Sequence, residues 1–88
     1  MERYRIEIRR SVLKDLDSIP TKYVKRILSS IESLAINPRP PQCRKLSADE
    51  KYRLRIGVFR ILYSIEDEKL IIYIVKVAHR KDIYKKRS

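Results

Sequence analysis

The sequence predicts an α+β fold: an N-terminal strand, a two-helix hairpin, then a three-stranded antiparallel meander, with the helices packed on one sheet face. Three observations predict it. Apolar and charged residues alternate with the two-residue period of a strand near the N-terminus and again after Lys51. Between Val12 and Ala35 the apolar residues recur instead at helical spacing. The stretch Asn37-Pro-Arg-Pro-Pro-Gln42 separates the two regimes, and its prolines prevent either pattern from running through.

In the first strand Tyr4, Ile6 and Ile8 alternate with Arg3, Arg5, Glu7 and Arg9, as on a half-buried strand. Ser11 can cap a short helix carrying Val12, Leu13 and Leu16, which stops near Pro20. Thr21 can cap a second, longer helix bearing Val24, Ile27, Leu28, Ile31, Leu34 and Ala35. That helix should end near Asn37, because the proline after it disfavours helical backbone there. The Pro-rich stretch then reads as a connection inside one domain spanning residues 1–88. Gly57 suits the first central position of a tight hairpin turn, and Glu66-Asp-Glu-Lys69 is a polar turn. The run from Leu70 to Val77 is nearly all apolar, as in a central strand buried on both faces.

Eighty-eight residues, 43% hydrophobic and 38% charged, describe a small globular domain with a heavily solvated surface. No apolar run is long enough to span a bilayer, and the charged first ten residues exclude a signal peptide, so a cytoplasmic protein without membrane partners is expected. Cys43, the one cysteine, cannot form an internal disulfide, which fits a reducing compartment. The net charge of +11 implies an anionic partner. It is spread along the chain: residues 1–44 hold 10 Lys/Arg against 5 Asp/Glu, and residues 45–88 hold 12 against 6.

Alternation collects much of that charge on one side of the meander. Arg53 and Arg55 oppose Tyr52, Leu54 and Ile56; Arg60 and Ser64 oppose Phe59, Ile61, Tyr63 and Ile65. Strict alternation in the last strand puts Lys76 and Arg80 on the side of Ile72, Ile74 and Ala78, and His79 with Val75 and Val77. If the strands pair as consecutive hairpins, Arg53, Arg55, Arg60, Lys76 and Arg80 can all face one way. Single arginines on strands are commonly solvated residues that discourage edge aggregation. Like charges gathered on neighbouring strands repel, and a phosphate-rich ligand is the natural reason to keep them.

His79 and Tyr84 admit both structural and chemical roles: a hydrogen-bonded histidine at a strand end or a base, a packed ring or a working phenol. Lys45, Lys76, Lys85 and Lys86 are candidates for RNA contact, the last two within a basic tail. No metal-ligand spacing, Gly-rich phosphate loop or Ser/His/Asp order is present, so neither a metal site nor a cofactor is expected. Cationic and phenolic chemistry suits attack of an RNA 2′-hydroxyl on its own neighbouring phosphate. The substrate brings the nucleophile; the protein orients the backbone, stabilises phosphoryl charge and moves protons.

The order strand, helix pair, Pro-containing connection and the segment from Tyr52 to Tyr84 resembles the RelE/ParE toxin superfamily, and most of all its RelE branch of ribosome-dependent mRNA interferases. The specific blocks are Arg60-Ile-Leu-Tyr63 and Val77-Ala-His-Arg-Lys-Asp-Ile-Tyr84. The resemblance implies a RelE-like fold and an endoribonuclease toxin of a type II toxin–antitoxin system. Its partners would be messenger RNA in the ribosomal A site and a cognate antitoxin. It carries catalytic roles onto Arg53, Arg55, Arg60, His79, Arg80 and Tyr84. Some active members have lysine where this chain has Arg53 and Arg55. An arginine stays protonated in a protein, so proton removal would pass to Tyr84 or His79. The rivals are a non-enzymatic gyrase poison of the ParE kind, a plain RNA-binding module, and a toxin inactivated by drift.

Overall fold

The computed structural model describes residues 3–46 and 51–79. Strand β1 (Arg5–Ile8) leads into helix α1 (Arg10–Asp17) and helix α2 (Thr21–Leu34), and strands β2 (Cys43–Lys45), β3 (Lys51–Ile56), β4 (Phe59–Glu66) and β5 (Ile71–His79) complete the order. The expected α+β class holds, with one more strand than the meander required. β2 forms just after the Pro-rich connection, where the sequence predicts no strand.

Neither helix starts where a side-chain cap was expected. α1 begins one residue before Ser11, after Arg9 in extended backbone, and α2 begins on Thr21 itself with Pro20 at the cap position; neither cap makes a side-chain hydrogen bond. At α2 the main-chain carbonyl of Pro20, at the cap position, opens the hydrogen-bond ladder. That carbonyl accepts the Tyr23 and Val24 N–H groups at 2.9 and 3.1 Å. Past Leu34 the chain keeps turning, and Asn37 N–H still donates to Ser33 at 3.1 Å, before the prolines end it.

The five strands lie in the order β1-β5-β4-β3-β2. β1 runs parallel to β5, and the other neighbours are antiparallel. The helix pair therefore carries the chain across one face, from one sheet edge to the other. Val12, Ile27, Ile31 and Leu34 from the helices meet Tyr52, Leu54, Phe59, Ile61, Tyr63, Ile65, Ile72, Ile74 and Val77 from the sheet to form the core. The β3–β4 hairpin turns through Gly57 and Val58, with φ of +58° at Gly57. A positive φ at the first central position with none at Val58 is the II′ pattern, and glycine adopts that positive φ without steric cost.

β5 departs from strict alternation. Its register against β4 pairs Leu62 with Lys76 but Tyr63 with Ile74, leaving Val75 as an extra residue. Such a bulge resets which side the following residues face. Ile72 and Ile74 consequently point into the helix-side core, while Lys76 and Ala78 belong to the opposite face; the expectation that all four share a side is corrected.

Two polar clusters tie the frame together. Arg39, in the Pro-rich connection, donates to both oxygens of Asp67 at 3.3 and 2.9 Å and to the Tyr52 hydroxyl at 3.0 Å. Tyr4 donates to Asp67 at 2.7 Å, and the Tyr63 hydroxyl donates to the Pro38 carbonyl at 2.8 Å. Burial, with Cys43 alongside, pushes the Tyr63 phenol well above its ordinary range, so it stays a donor. At the other cluster β1 stops pairing at Ile74, and Asp15 of α1 takes over the exposed edge of β5. Its carboxylate accepts the Val77 N–H and the Lys76 ammonium, each at 3.2 Å.

Candidate functional site: an arginine face

On the sheet face opposite the helices, register brings four arginines into two directly opposed pairs. Arg44 of β2 stands across from Arg53 of β3, and Arg55 of β3 stands across from Arg60 of β4. Opposed residues on antiparallel strands have Cβ atoms about 4.5–5.5 Å apart, where like charges cost stability. Arg53 and Arg55 thus share a face with Arg60, as the alternation of the sequence implies.

Arg60 differs from its neighbours. It is 5% exposed, the one buried charged residue among the described residues, and its Nε and Nη1 are buried without a hydrogen-bond partner. The sequence implied an exposed residue; the structure corrects that. Each unsatisfied buried donor costs about 1–3 kcal/mol, more on a charged group. A guanidinium held this way binds strongly to an anion that reaches it, because its donors have already lost their water.

Beside it, Pro41, Gln42, Cys43, Arg44, Arg53 and Arg55 line a groove of about 330 Å³. Arg44 is the member that reading the sequence missed. In isolation Cys43-Arg44-Lys45 is too short to show a strand period, and only pairing with β3 decides its faces. Lys45, the residue that the sequence singled out instead, lies opposite Tyr52 and so on the helix side of the sheet. Cys43, a free thiol, is half-buried against the core.

The remaining candidates divide. Lys76 falls on the arginine face by register, but its ammonium is held by Asp15. His79 lies opposite Phe59, with the two rings edge-on at 5.8 Å, which puts it on the helix side and away from the arginines. It borders a second hollow with Asp15, Ile19, Pro20 and Phe59. Arg80, Tyr84, Lys85 and Lys86 lie outside the described residues. Among the described residues no group of three or more His, Cys, Asp or Glu is placed to hold a metal ion. No helix among them is long and apolar enough to cross a membrane.

This architecture is that of known toxins. The archaeal RelE–RelB complex from Pyrococcus horikoshii OT3 contains a chain that superposes with a TM-score of 0.80 at 31% identity, over 88% of this chain and 94% of that one. A chain of the RelBE2 toxin–antitoxin complex from Mycobacterium tuberculosis superposes equally well, TM-score 0.80, at 24% identity over 91% and 94% of the two chains, a likeness of fold. In sequence, a Methanocaldococcus jannaschii protein that bears the toxin name RelE1 is 38% identical over 87 residues, 94% of this chain and 97% of that protein. Fold and sequence together define a RelE-like member of the RelE/ParE superfamily. The family model for the ParE toxin of the type II toxin–antitoxin system parDE matches residues 6–84, and the chain belongs to that family.

Proposed function

We propose that this toxin is a ribosome-dependent endoribonuclease that cuts messenger RNA in the decoding site and so blocks translation. The observation that carries the reading is Arg60: a desolvated guanidinium with two orphaned donors, directly across the sheet from Arg55. Such a group costs stability and is suited to holding an oxyanion. In the proposed step the 2′-oxygen attacks the adjacent phosphorus, the O2′–P bond forms, and the P–O5′ bond breaks. The products are a 2′,3′-cyclic phosphate and a 5′-hydroxyl. One proton leaves O2′ and one arrives at O5′. Arg60, with Arg55 and Arg80, stabilises the charge that grows on the phosphoryl oxygens. The substrate supplies its own nucleophile, so this chemistry asks for no metal ion.

The base must be found elsewhere, since arginine does not deprotonate. His79 on the helix side is poorly placed to serve the arginine face, which favours Tyr84. Orientation of the RNA would come from the ribosome, because the arginine face offers phosphate contacts rather than a base-reading groove. A cognate antitoxin is the expected protein partner. The similar toxins are recorded in complexes with RelB, and a charge of +11 would draw an acidic segment onto the basic face. Primer extension on a translated message tests the reading, with discrete cuts expected only when the protein and translating ribosomes are both present. The name of the matched family keeps a gyrase poison as the second reading. Inhibition of gyrase without RNA cuts would establish it.

A further inference from the structure

Building on the nuclease reading, we propose that Arg44 and Arg53 form a second phosphate subsite, which holds a neighbouring phosphodiester of the RNA strand whose scissile phosphate sits at Arg60. The ligand class is a single-stranded polynucleotide backbone, and the contact is to phosphate oxygens rather than bases.

The argument begins from register. Two opposed arginine pairs occupy successive same-face positions: Arg44 with Arg53, then Arg55 with Arg60. Along β3 the step from Arg53 to Arg55 is two residues, about 6.6–6.8 Å. That separation is comparable to the distance between successive phosphates on an extended single strand. The pairs are therefore spaced to take two phosphates, one at each end of a short track.

The site has walls as well as charges. Pro41 and Gln42 line the groove together with Arg44, Arg53 and Arg55, its cationic members. The connection bearing Pro41 and Gln42 is anchored upstream, where Arg39 grips Asp67 and Tyr63 holds the Pro38 carbonyl. Arg44 thus enters the groove from a strand whose approach is fixed, with less order left to impose on binding. Its exposure fits a role in positioning: it adds grip on the backbone away from the scissile phosphate, while Arg60 serves that phosphate itself.

The test uses the whole protein and two probes, adenosine 5′-monophosphate and an all-2′-deoxy hexanucleotide that cannot be cleaved. Affinity is measured against salt for the wild type, Arg44→Gln, and Arg26→Gln, a control of equal charge change on an exposed position of α2. Losing one phosphate contact from a single strand lowers the slope of log affinity against log salt by about 0.7. The expected result is that drop for Arg44→Gln on the hexanucleotide, an unchanged affinity for the mononucleotide, and a wild-type slope for Arg26→Gln. An unchanged hexanucleotide slope in Arg44→Gln would overturn the subsite, as would equal loss on both probes or an equal drop in the control. Primer extension with the wild type separates this proposal from the reading beneath it. Cuts on translated message with an unaltered Arg44→Gln slope reject the subsite alone. A lowered slope with no cuts rejects the nuclease and upholds the subsite.

Discussion

Replacing Arg60 by methionine should make this protein more stable and destroy its cleavage activity. The side chain is 5% exposed, Nε and Nη1 lack partners, and Arg55 stands directly across the β3–β4 pairing. Each orphaned donor costs about 1–3 kcal/mol. Exchange of a buried charged group for a well-packed apolar one of similar volume is commonly neutral or stabilising by about 1–4 kcal/mol. Methionine keeps most of the length and its flexible thioether fills irregular space, so little is lost to a cavity. The net expectation is a gain of about 1–3 kcal/mol, and for a domain of this size each 1 kcal/mol raises Tm by about 4–8 °C. Thermal and urea unfolding followed by circular dichroism measure this directly. A second arm uses inorganic phosphate. A ligand bound only by the folded protein stabilises it by RT ln(1 + [L]/Kd), about 2.7 kcal/mol at a hundredfold excess over Kd. The shift should appear in the wild type and vanish in Arg60→Met. Single-turnover cleavage on saturating ribosomes should fall by about 10²–10³, as when one oxyanion donor is removed. Destabilisation of Arg60→Met by more than about 1 kcal/mol, with an undiminished phosphate shift, would refute the reasoning.

Three further outcomes are expected. His79→Gln should keep most of the cleavage rate, because His79 lies on the face of Phe59 rather than with the arginines, whereas Tyr84→Phe should be severely impaired; single-turnover rates on ribosomes decide, and the reverse order would make the imidazole the base. Asp15→Ala should cost about 1.5–3 kcal/mol in urea unfolding, the range for a hydrogen bond to a charged group, because it strips the Val77 N–H of its carboxylate. Lys76→Ala should cost under about 1 kcal/mol, since the Lys76 side chain is 46% exposed. Asp67 is held below its ordinary value of 3.8, by the hydrogen bond from Arg39 first and by Tyr4 next. A carboxylate lowered on folding contributes its stability above 3.8 and loses it as the pH falls through the folded value. Asp67→Asn should therefore flatten the acid limb of stability against pH; an unchanged acid limb would show that the cluster contributes nothing measurable.

Much of the frame is legible in the sequence because its signals are local. Tyr52, Leu54 and Ile56 against Arg53 and Arg55 is a period that only a half-buried strand satisfies, and the structure turns those apolar residues to the helices. Gly57 marks its hairpin because the turn needs a positive φ at that position. The helical spacing of Ile27, Ile31 and Leu34 likewise matches the face that α2 buries. What tertiary structure decided is what depends on pairing between distant segments. A bulge has no residue signature of its own, so Val75 resets β5 unannounced and moves Ile72 and Ile74 away from the face of Lys76. Cys43-Arg44-Lys45 becomes a strand only because β3 offers a free edge, and this pairing turns Arg44 toward the arginines and Lys45 away from them. Most of all, alternation can show which way Arg60 points but not whether water reaches it. Burial is a property of everything packed around a side chain, and so the site's most telling feature, a desolvated guanidinium with orphaned donors, is settled by the tertiary fold.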